Sequence, residues 1–272
     1  MVIVVKAGGR VLAGNLDGLL DDIARLARGG GKLVFVHGGG DMVSEYTRRM
    51  GLEPRILVHP SGLRSRYTGP EELEVYIMVM AGLLNKRITA GLIARGVQAL
   101  GVSGVDLGLL RAERKKRIII VNERGRKQAI PGGYTGRITG VDGRALGRLL
   151  REASVVTLSP LALGMEGELL NVDGDQAASK TAAALKASSL VLLSDVPGVI
   201  LDDRVLDRIP SAEEARRIAG LVGKGMNRKL LMAAEALENG VGRVVIANGL
   251  AENPVESALQ GGGTLVEEEP RQ

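Results

Sequence analysis

Short apolar runs alternate with longer amphipathic stretches along most of the chain. The runs at residues 2–5, 33–36, 99–102, 155–158, 190–193 and 243–246 are dominated by Val, Leu and Ile, with the length and branching of buried strands. Between them, residues 15–27, 71–95, 175–184 and 228–238 place apolar side chains at helical spacing. This alternation predicts an α/β fold, a three-layer αβα sandwich around a mainly parallel sheet. In such sheets ligands collect at the carboxyl ends of the strands.

Two glycine turns fall at those ends. The run 33–36 leads into His37 and then Gly38, Gly39 and Gly40, and a helix is expected to start near Asp41. Without Cβ atoms, backbone N–H groups approach an anion closely, and the positive end of the helix adds to the attraction. Glycine turns also serve simple packing. Here, though, the first strand ends the same way, in Lys6, Ala7, Gly8 and Gly9, and two such turns, one with a lysine, favour a phosphate-sized anion.

Two segments break the alternation. Residues 111–137 read as a β-branched strand at 118–121, a polar turn at 124–127 and, after a Pro-Gly-Gly corner, a second strand at 134–140, and predict a β-hairpin lid outside the core sheet. Residues 163–175 have little periodicity and are rich in Gly, Asn and Asp. They place a boundary between an N-terminal lobe, 1–165, and a C-terminal lobe, 166–272. The long helix at 71–95 has apolar positions beyond one stripe, among them Val75, Met78, Val79, Leu83 and Leu84. Such a helix can pack on the core and on a second copy, so a homodimer is expected.

Composition narrows the chemistry. None of the 272 residues is Cys, which removes disulfides, thiolate catalysis and Cys-based metal sites, and the two histidines, His37 and His59, make a His-rich metal site implausible. No apolar run approaches the roughly 18 residues of a membrane span, so a cytoplasmic protein is expected, with no membrane partner. A net charge of +5 attracts acidic partners, although an Arg-rich thermophile surface accounts for part of it. Aromatic residues make up 2% of the chain, too few for the stacking platforms of single-stranded nucleic-acid binders.

The remaining candidates are cations and one carboxylate. Lys229 follows Gly223, Lys224, Gly225 and Met226 and precedes an apolar helix. A lysine near a helix N-terminus opposes the helix dipole, and a bound phosphate would reverse that penalty. Asp175, just before a small-residue helix, can cap that helix. It can also grip two lysines around a transferring phosphoryl group, where placement and charge neutralisation carry catalysis.

Seven segments in order, Lys6-Ala7-Gly8-Gly9, His37-Gly38-Gly39-Gly40, Gly62-Leu63-Arg64, Ala81-Gly82-Leu83-Leu84-Asn85-Lys86, Asn171-Val172-Asp173-Gly174-Asp175, Ser194-Asp195-Val196-Pro197-Gly198-Val199 and Gly225-Met226-Asn227-Arg228-Lys229, resemble the amino acid kinase superfamily, nearest to its acetylglutamate kinases. The resemblance implies ATP-dependent phosphorylation of a side-chain carboxylate to an acyl phosphate, with Mg2+ carried on the ATP phosphates. It implies catalytic roles for Lys6 and Lys229, oriented by Asp175. Gly8, Gly9, Gly39 and Gly40 would offer amides, Arg64 and Asn171 would hold the acceptor, and Ser194, Asp195, Gly198 and Val199 would line the nucleotide pocket. The N-terminal lobe would take the acceptor and the dimer contact, and the C-terminal lobe ATP.

The departures from acetylglutamate kinases are specific. Arg66 and Tyr67 follow Arg64 where an aliphatic residue is usual, and Asp173-Gly174-Asp175 replaces Asn-Ala-Asp. Both resemble the subgroup acting on 2-aminoadipate or glutamate attached to the small acidic amino-group carrier protein LysW, in lysine and arginine biosynthesis. Arg66 then joins the substrate-binding set. Residues 111–137 hold nine Lys or Arg against two Glu, and Lys115, Lys116 and Arg117 are the expected docking residues for an acidic carrier. Two alternatives remain: a kinase for free N-acetylglutamate, and a non-catalytic nucleotide- or nucleic-acid-binding module. A dinucleotide-binding oxidoreductase lacks its G-x-G-x-x-G spacing here.

Overall fold

The first apolar run forms β1 (Val2–Ala7), and Gly8 alone separates it from helix α1 (Gly9–Arg28). The second forms β2 (Lys32–His37), which turns through two glycines into α2 (Gly40–Arg49). The computed structural model describes residues 1–269 apart from Ser61, Leu63, Glu123 and Lys224. Leu63 of the Gly62–Arg64 motif and Lys224 of the 223–226 segment therefore lie outside the described residues. An antiparallel ribbon, β3 (Ile56–Val58) with β4 (Arg64–Arg66), precedes a long helical run. That run is α3 (Pro70–Ile77), a π-helical turn (Met78–Leu84) and α4 (Asn85–Ala94).

After β5 (Ala99–Ser103) come β6 (Leu110–Arg114), β7 (Arg117–Val121), β8 (Lys127–Pro131) and β9 (Gly136–Val141). Helix α5 (Gly143–Glu152) leads to β10 (Val155–Ser159), β11 (Leu161–Leu163) and β12 (Leu169–Asn171). The chain continues through α6 (Gly174–Ala184), β13 (Ser189–Ser194), β14 (Ile200–Leu201), β15 (Arg204–Val205) and β16 (Arg208–Ile209). It ends in α7 (Ala212–Ala219), α8 (Met226–Glu238), β17 (Val244–Asn248), α9 (Pro254–Leu259) and β18 (Thr264–Val266).

The main sheet has eight strands in the order β16-β18-β17-β13-β1-β2-β10-β5. The six expected strands are its six contiguous members from β17 to β5, every neighbouring pair of them parallel. The two further strands are β18, antiparallel to β17, and β16 at the edge. In β1 and β2 the side-chain period of two sends Val4, Val34 and Val36 into one core and Ile3, Val5, Leu33 and Phe35 into the other. Helices α5 to α8 cover the first face; α1, α3, α4 and α9 cover the second. This is the expected three-layer sandwich.

Three elements differ from the sequence reading. Helix α1 starts at Gly9 and kinks at Asn15 (φ −152°, ψ 40°), whose Nδ2 donates to the carbonyls of Gly249 and Ala251, each at 3.0 Å. A helix seen only from residue 15 is therefore the part beyond the kink. The expected hairpin divides in two: β7 and β8 form the free ribbon, whereas β6 and β9 belong to a four-stranded sheet, β12-β11-β6-β9. Finally, the helical run Pro70–Ala94 is long and apolar enough, by length and composition, to cross a bilayer. Its Leu73, Val75, Val79, Met80, Leu84, Ile88 and Leu92 are core side chains, while Met78 and Ile93 are exposed.

Candidate active site

Parallel register brings the chemistry to one edge. Lys6 lies between Val36 of β2 and Leu192 of β13, so the carboxyl ends of these strands end together. Asp175 approaches that edge from the first turn of α6, and Lys229 from the first turn of α8. Lys6 Nζ is 2.8 Å from Asp175 Oδ1, and Lys229 Nζ is 3.1 Å and 3.2 Å from Oδ1 and Oδ2. Residues 54 and 223 positions apart in sequence from Lys229 thus share one cluster, each side chain about a tenth exposed.

Asp173, not Asp175, caps α6: its Oδ1 accepts from Gln176 N at 2.8 Å. That leaves both Asp175 oxygens for the lysines. Burial alone would push the Asp175 carboxyl up, but Lys6 and Lys229 outweigh it and hold the group well below the usual carboxylate range. Burial works against the Lys6 ammonium too, yet Asp175, with help from Asp173, keeps its pKa above the ordinary value. For Lys229 the balance falls the other way. Burial and the charge of Lys6 lower its pKa despite Asp175. Two ammoniums on one carboxylate leave a surplus positive charge facing the cleft, which suits a phosphoryl group.

The two glycine turns abut beside this cluster. Gly38 N donates to Ala7 O at 2.7 Å, and a Cβ on Gly38 would meet Gly8 Cα at 3.1 Å. At Gly39 a Cβ would come within 2.6 Å of Leu84 Cδ2 and 2.8 Å of Met80 Sδ, so only glycine fits under the helical run. Lys6, Gly8, Gly9, Arg10, Gly40, Asp41, Ser194, Asp195 and Lys229 line a cleft of about 300 Å³. Arg10, and Asp41, which the sequence marked only as a helix start, flank the glycines; Arg10 Nη1 donates to Asp195 Oδ2 across the cleft. The depressed Asp195 pKa is set by burial opposing, and outweighed by, its own backbone N–H and Arg10.

On the nucleotide side of the expected set, Gly198 and Val199 lie further along the same loop. Val199 N donates to Thr264 Oγ1 at 2.8 Å, and Thr264 donates to Leu206 O at 2.6 Å. The buried Thr264 ties this loop to β18. On the acceptor side, Asn171 ends β12 and its Nδ2 donates to Thr68 Oγ1 at 2.9 Å. Arg64 is exposed on β4. Arg66 is engaged: Nη1 donates to Glu72 Oε1 at 2.7 Å, and Nη2 to Gly40 O at 2.7 Å and to Ser44 Oγ. Arg66 thereby fastens β4 to the start of α2.

Lys115, Lys116 and Arg117 are exposed at the β6–β7 corner. Burial first, and then the charges of Lys115 and Arg228, lower the pKa of His59, so these three residues from separate parts of the chain lie near one another. Arg228 Nη2 is anchored 3.0 Å from Asp173 Oδ1. Its neighbour Lys229 carried the sequence signal, and Arg228 went unassigned. Guanidinium–tyrosine stacks occupy the same side, Arg55 over Tyr67 at 4.7 Å and Arg114 over Tyr134 at 4.2 Å. An open groove between β3 and β7 is floored by Ile56, Val58 and Ile120 and edged by Arg55 and Arg124.

A parallel α/β sheet that gathers glycine amides and two lysines on one carboxylate at its carboxyl edge has the parts of a phosphoryl-transfer enzyme. The amino acid kinase family model matches residues 1–248, and the chain belongs to that family. It is an ATP-dependent kinase. A [LysW]-aminoadipate/[LysW]-glutamate kinase of Saccharolobus islandicus is 50% identical over 266 residues, covering 97% of this chain and 99% of its own length. The Metallosphaera sedula protein of that name is likewise 50% identical over 266 residues, covering 97% and 100%. Among solved structures, N-acetylglutamate synthase from Neisseria gonorrhoeae, complexed with coenzyme A and N-acetyl-glutamate, matches 99% of this chain with a TM-score of 0.81 at 30% identity; the chain spans 60% of that protein.

Proposed function

We propose that this kinase transfers the γ-phosphoryl group of ATP to the side-chain carboxylate of 2-aminoadipate or glutamate carried on a small acidic LysW-type protein. The observation that carries the reading is the Lys6–Asp175–Lys229 cluster against the abutting glycine turns. The relatives' names supply the substrate class. An acceptor carboxylate oxygen forms the new P–O bond while the bond from the γ-phosphorus to the ADP oxygen breaks. No proton moves, because the nucleophile is already ionised. The two ammoniums neutralise the charge on the moving group, and Asp175 fixes their separation.

ATP lies along the 194–199 loop, and Mg2+ enters on its phosphates. Asp41 and Asp195 in the cleft wall are oxygen donors of the hard type this ion takes, directly or through its waters. The acceptor enters from the side of Arg64, Thr68 and Asn171. Residues 1–165 then form the acceptor lobe and residues 166–272 the nucleotide lobe. The basic corner Lys115–Arg117 and the arginine-edged groove beside it attract the acidic body of the carrier, which stays outside while its amino acid reaches in. We further assign a homodimer through the outer side of the Pro70–Ala94 run, where Met78 and Ile93 are exposed, and a cytoplasmic location.

The test is hydroxylamine trapping of the acyl phosphate with three acceptors: purified carrier bearing aminoadipate, the same carrier bearing glutamate, and free N-acetylglutamate. Hydroxamate is expected with at least one carrier form and only marginally with the free compound. Equal turnover of free N-acetylglutamate without carrier would overturn the carrier reading.

A further inference from the structure

Two buried polar side chains behind the glycine turn take no part in the chemistry described so far. His37 is the last residue of β2 and Asn85 the first of α4, and both have no exposed surface. Polar groups survive such burial when their hydrogen bonds are made. Here the partners dictate the direction of every bond. His37 Nδ1 lies 3.2 Å from Gly38 O, and a carbonyl only accepts, so Nδ1 carries the hydrogen. Nε2 is then the lone-pair nitrogen, and Asn85 Nδ2 donates to it at 3.3 Å.

The Asn85 amide cannot turn over. Its two Nδ2 hydrogens are shared among His37 Nε2, Val102 O at 3.2 Å and Thr157 O at 3.0 Å, all acceptors, while Oδ1 accepts from Lys86 Nζ at 3.2 Å. Lys86 is held in turn by Gly101 O at 2.6 Å. Burial, opposed only by the Gly38 carbonyl, lowers the His37 pKa to about 4, so the ring stays neutral at physiological pH.

The π-helical turn explains how one helix reaches both parts of the loop. Met80 and Leu84 pack where a Gly39 side chain would stand, and Asn85 reaches His37. In a regular α-helix Asn85 would point about 140° away from Met80. The i→i+5 pitch of the π turn swings it back to the same side, the kind of local distortion that gathers at functional sites.

We propose that His37 and Asn85 are a positioning pair: the relay from Asn85 Nδ2 through the imidazole to Gly38 O fixes the Gly38 peptide, and so aims the N–H groups of Gly39 and Gly40 into the cleft. Gly39 is the N-cap and Gly40 the first residue of α2, positions whose N–H groups have no partner within the helix. The inference rests on the kinase reading for the identity of the anion those amides meet.

The experiment has two arms. In the first, ¹⁵N NMR of the histidine-labelled wild-type protein reads the tautomer; with only two histidines the assignment is direct. A neutral Nδ1–H ring at His37 is expected at pH 7, whereas an Nε2–H ring or an imidazolium overturns the proposal. This arm needs no substrate, so failure of the carrier-linked reaction would count against the proposed acceptor and leave it readable. In the second, His37→Leu removes both bonds and His37→Asn keeps a donor near the Nδ1 position. His37→Leu should lower kcat about tenfold or more with little change in KM for ATP, and speed hydrogen exchange over residues 38–41. His37→Asn should restore most of kcat. Equal kcat in both variants, or losses that follow Tm with exchange unchanged, would overturn it. If His37→Leu does not fold, the tautomer still decides.

Discussion

Lys6 and Lys229 look alike in sequence and differ in the folded site. Each is buried against Asp175, but only Lys229 ends with a lowered pKa. As pH rises, Lys229 loses its proton first, and with it the charge that offsets the phosphoryl group. The rate should therefore fall on the alkaline side with an apparent pKa below 10.5, the ordinary lysine value. Lys229→Arg, if active, should move that limb upward, because a guanidinium keeps its proton; a limb that stays in place would assign the titration elsewhere. Lys229→Ala should lower kcat by roughly 10²- to 10³-fold, the scale for removing one charge-stabilising donor. The sequence showed that these residues matter, but it could not show which aspartate does what. Asp173 and Asp175 are two residues apart, and the capping role falls to whichever precedes the first helical turn, a matter of backbone dihedrals.

Elements were legible where burial is two-sided and illegible where it is brief. Strands β17, β13, β1, β2 and β10 lie inside the sheet and are covered on both faces, so their apolar runs are continuous and were read with nearly their observed bounds, as was the half-buried edge strand β5. Strands of two or three residues, such as β11, β12, β16 and β18, are too short to show a period, and they surfaced only through pairing. Long-range caps were equally invisible. Helix α9 has no side-chain cap of its own; instead the buried Asp22 of α1 accepts from Val255 N at 2.6 Å and Glu256 N at 3.1 Å. Asp22→Ala should cost about 1–3 kcal/mol in urea unfolding, since the buried Val255 N–H and the half-buried Glu256 N–H lose their acceptor. A change within a few tenths would mean that α9 does not depend on α1.

At the scale of the molecule, the sheet joins two halves at the β1–β13 contact, and the Lys6–Asp175 pair crosses that seam. The N-terminal half carries the basic corner. Lys115→Glu with Lys116→Glu should raise KM for the carrier-linked acceptor about tenfold at low ionic strength and flatten its salt dependence, leaving KM for ATP unchanged. Unaltered kinetics under those conditions would remove the docking role. Net charge was legible in the sequence, but the stacking of Arg55 on Tyr67 and of Arg114 on Tyr134 was not, because each pair joins separate parts of the chain.

The stacked tyrosines give this asymmetry a practical consequence. All four tyrosines and the single phenylalanine precede residue 135, and the chain has no tryptophan. Residues 166–272 are therefore optically silent near 280 nm. Intrinsic emission and near-ultraviolet dichroism will watch one half of the enzyme alone, with Tyr67 and Tyr134 reporting from beneath their guanidinium partners whenever something settles on that face.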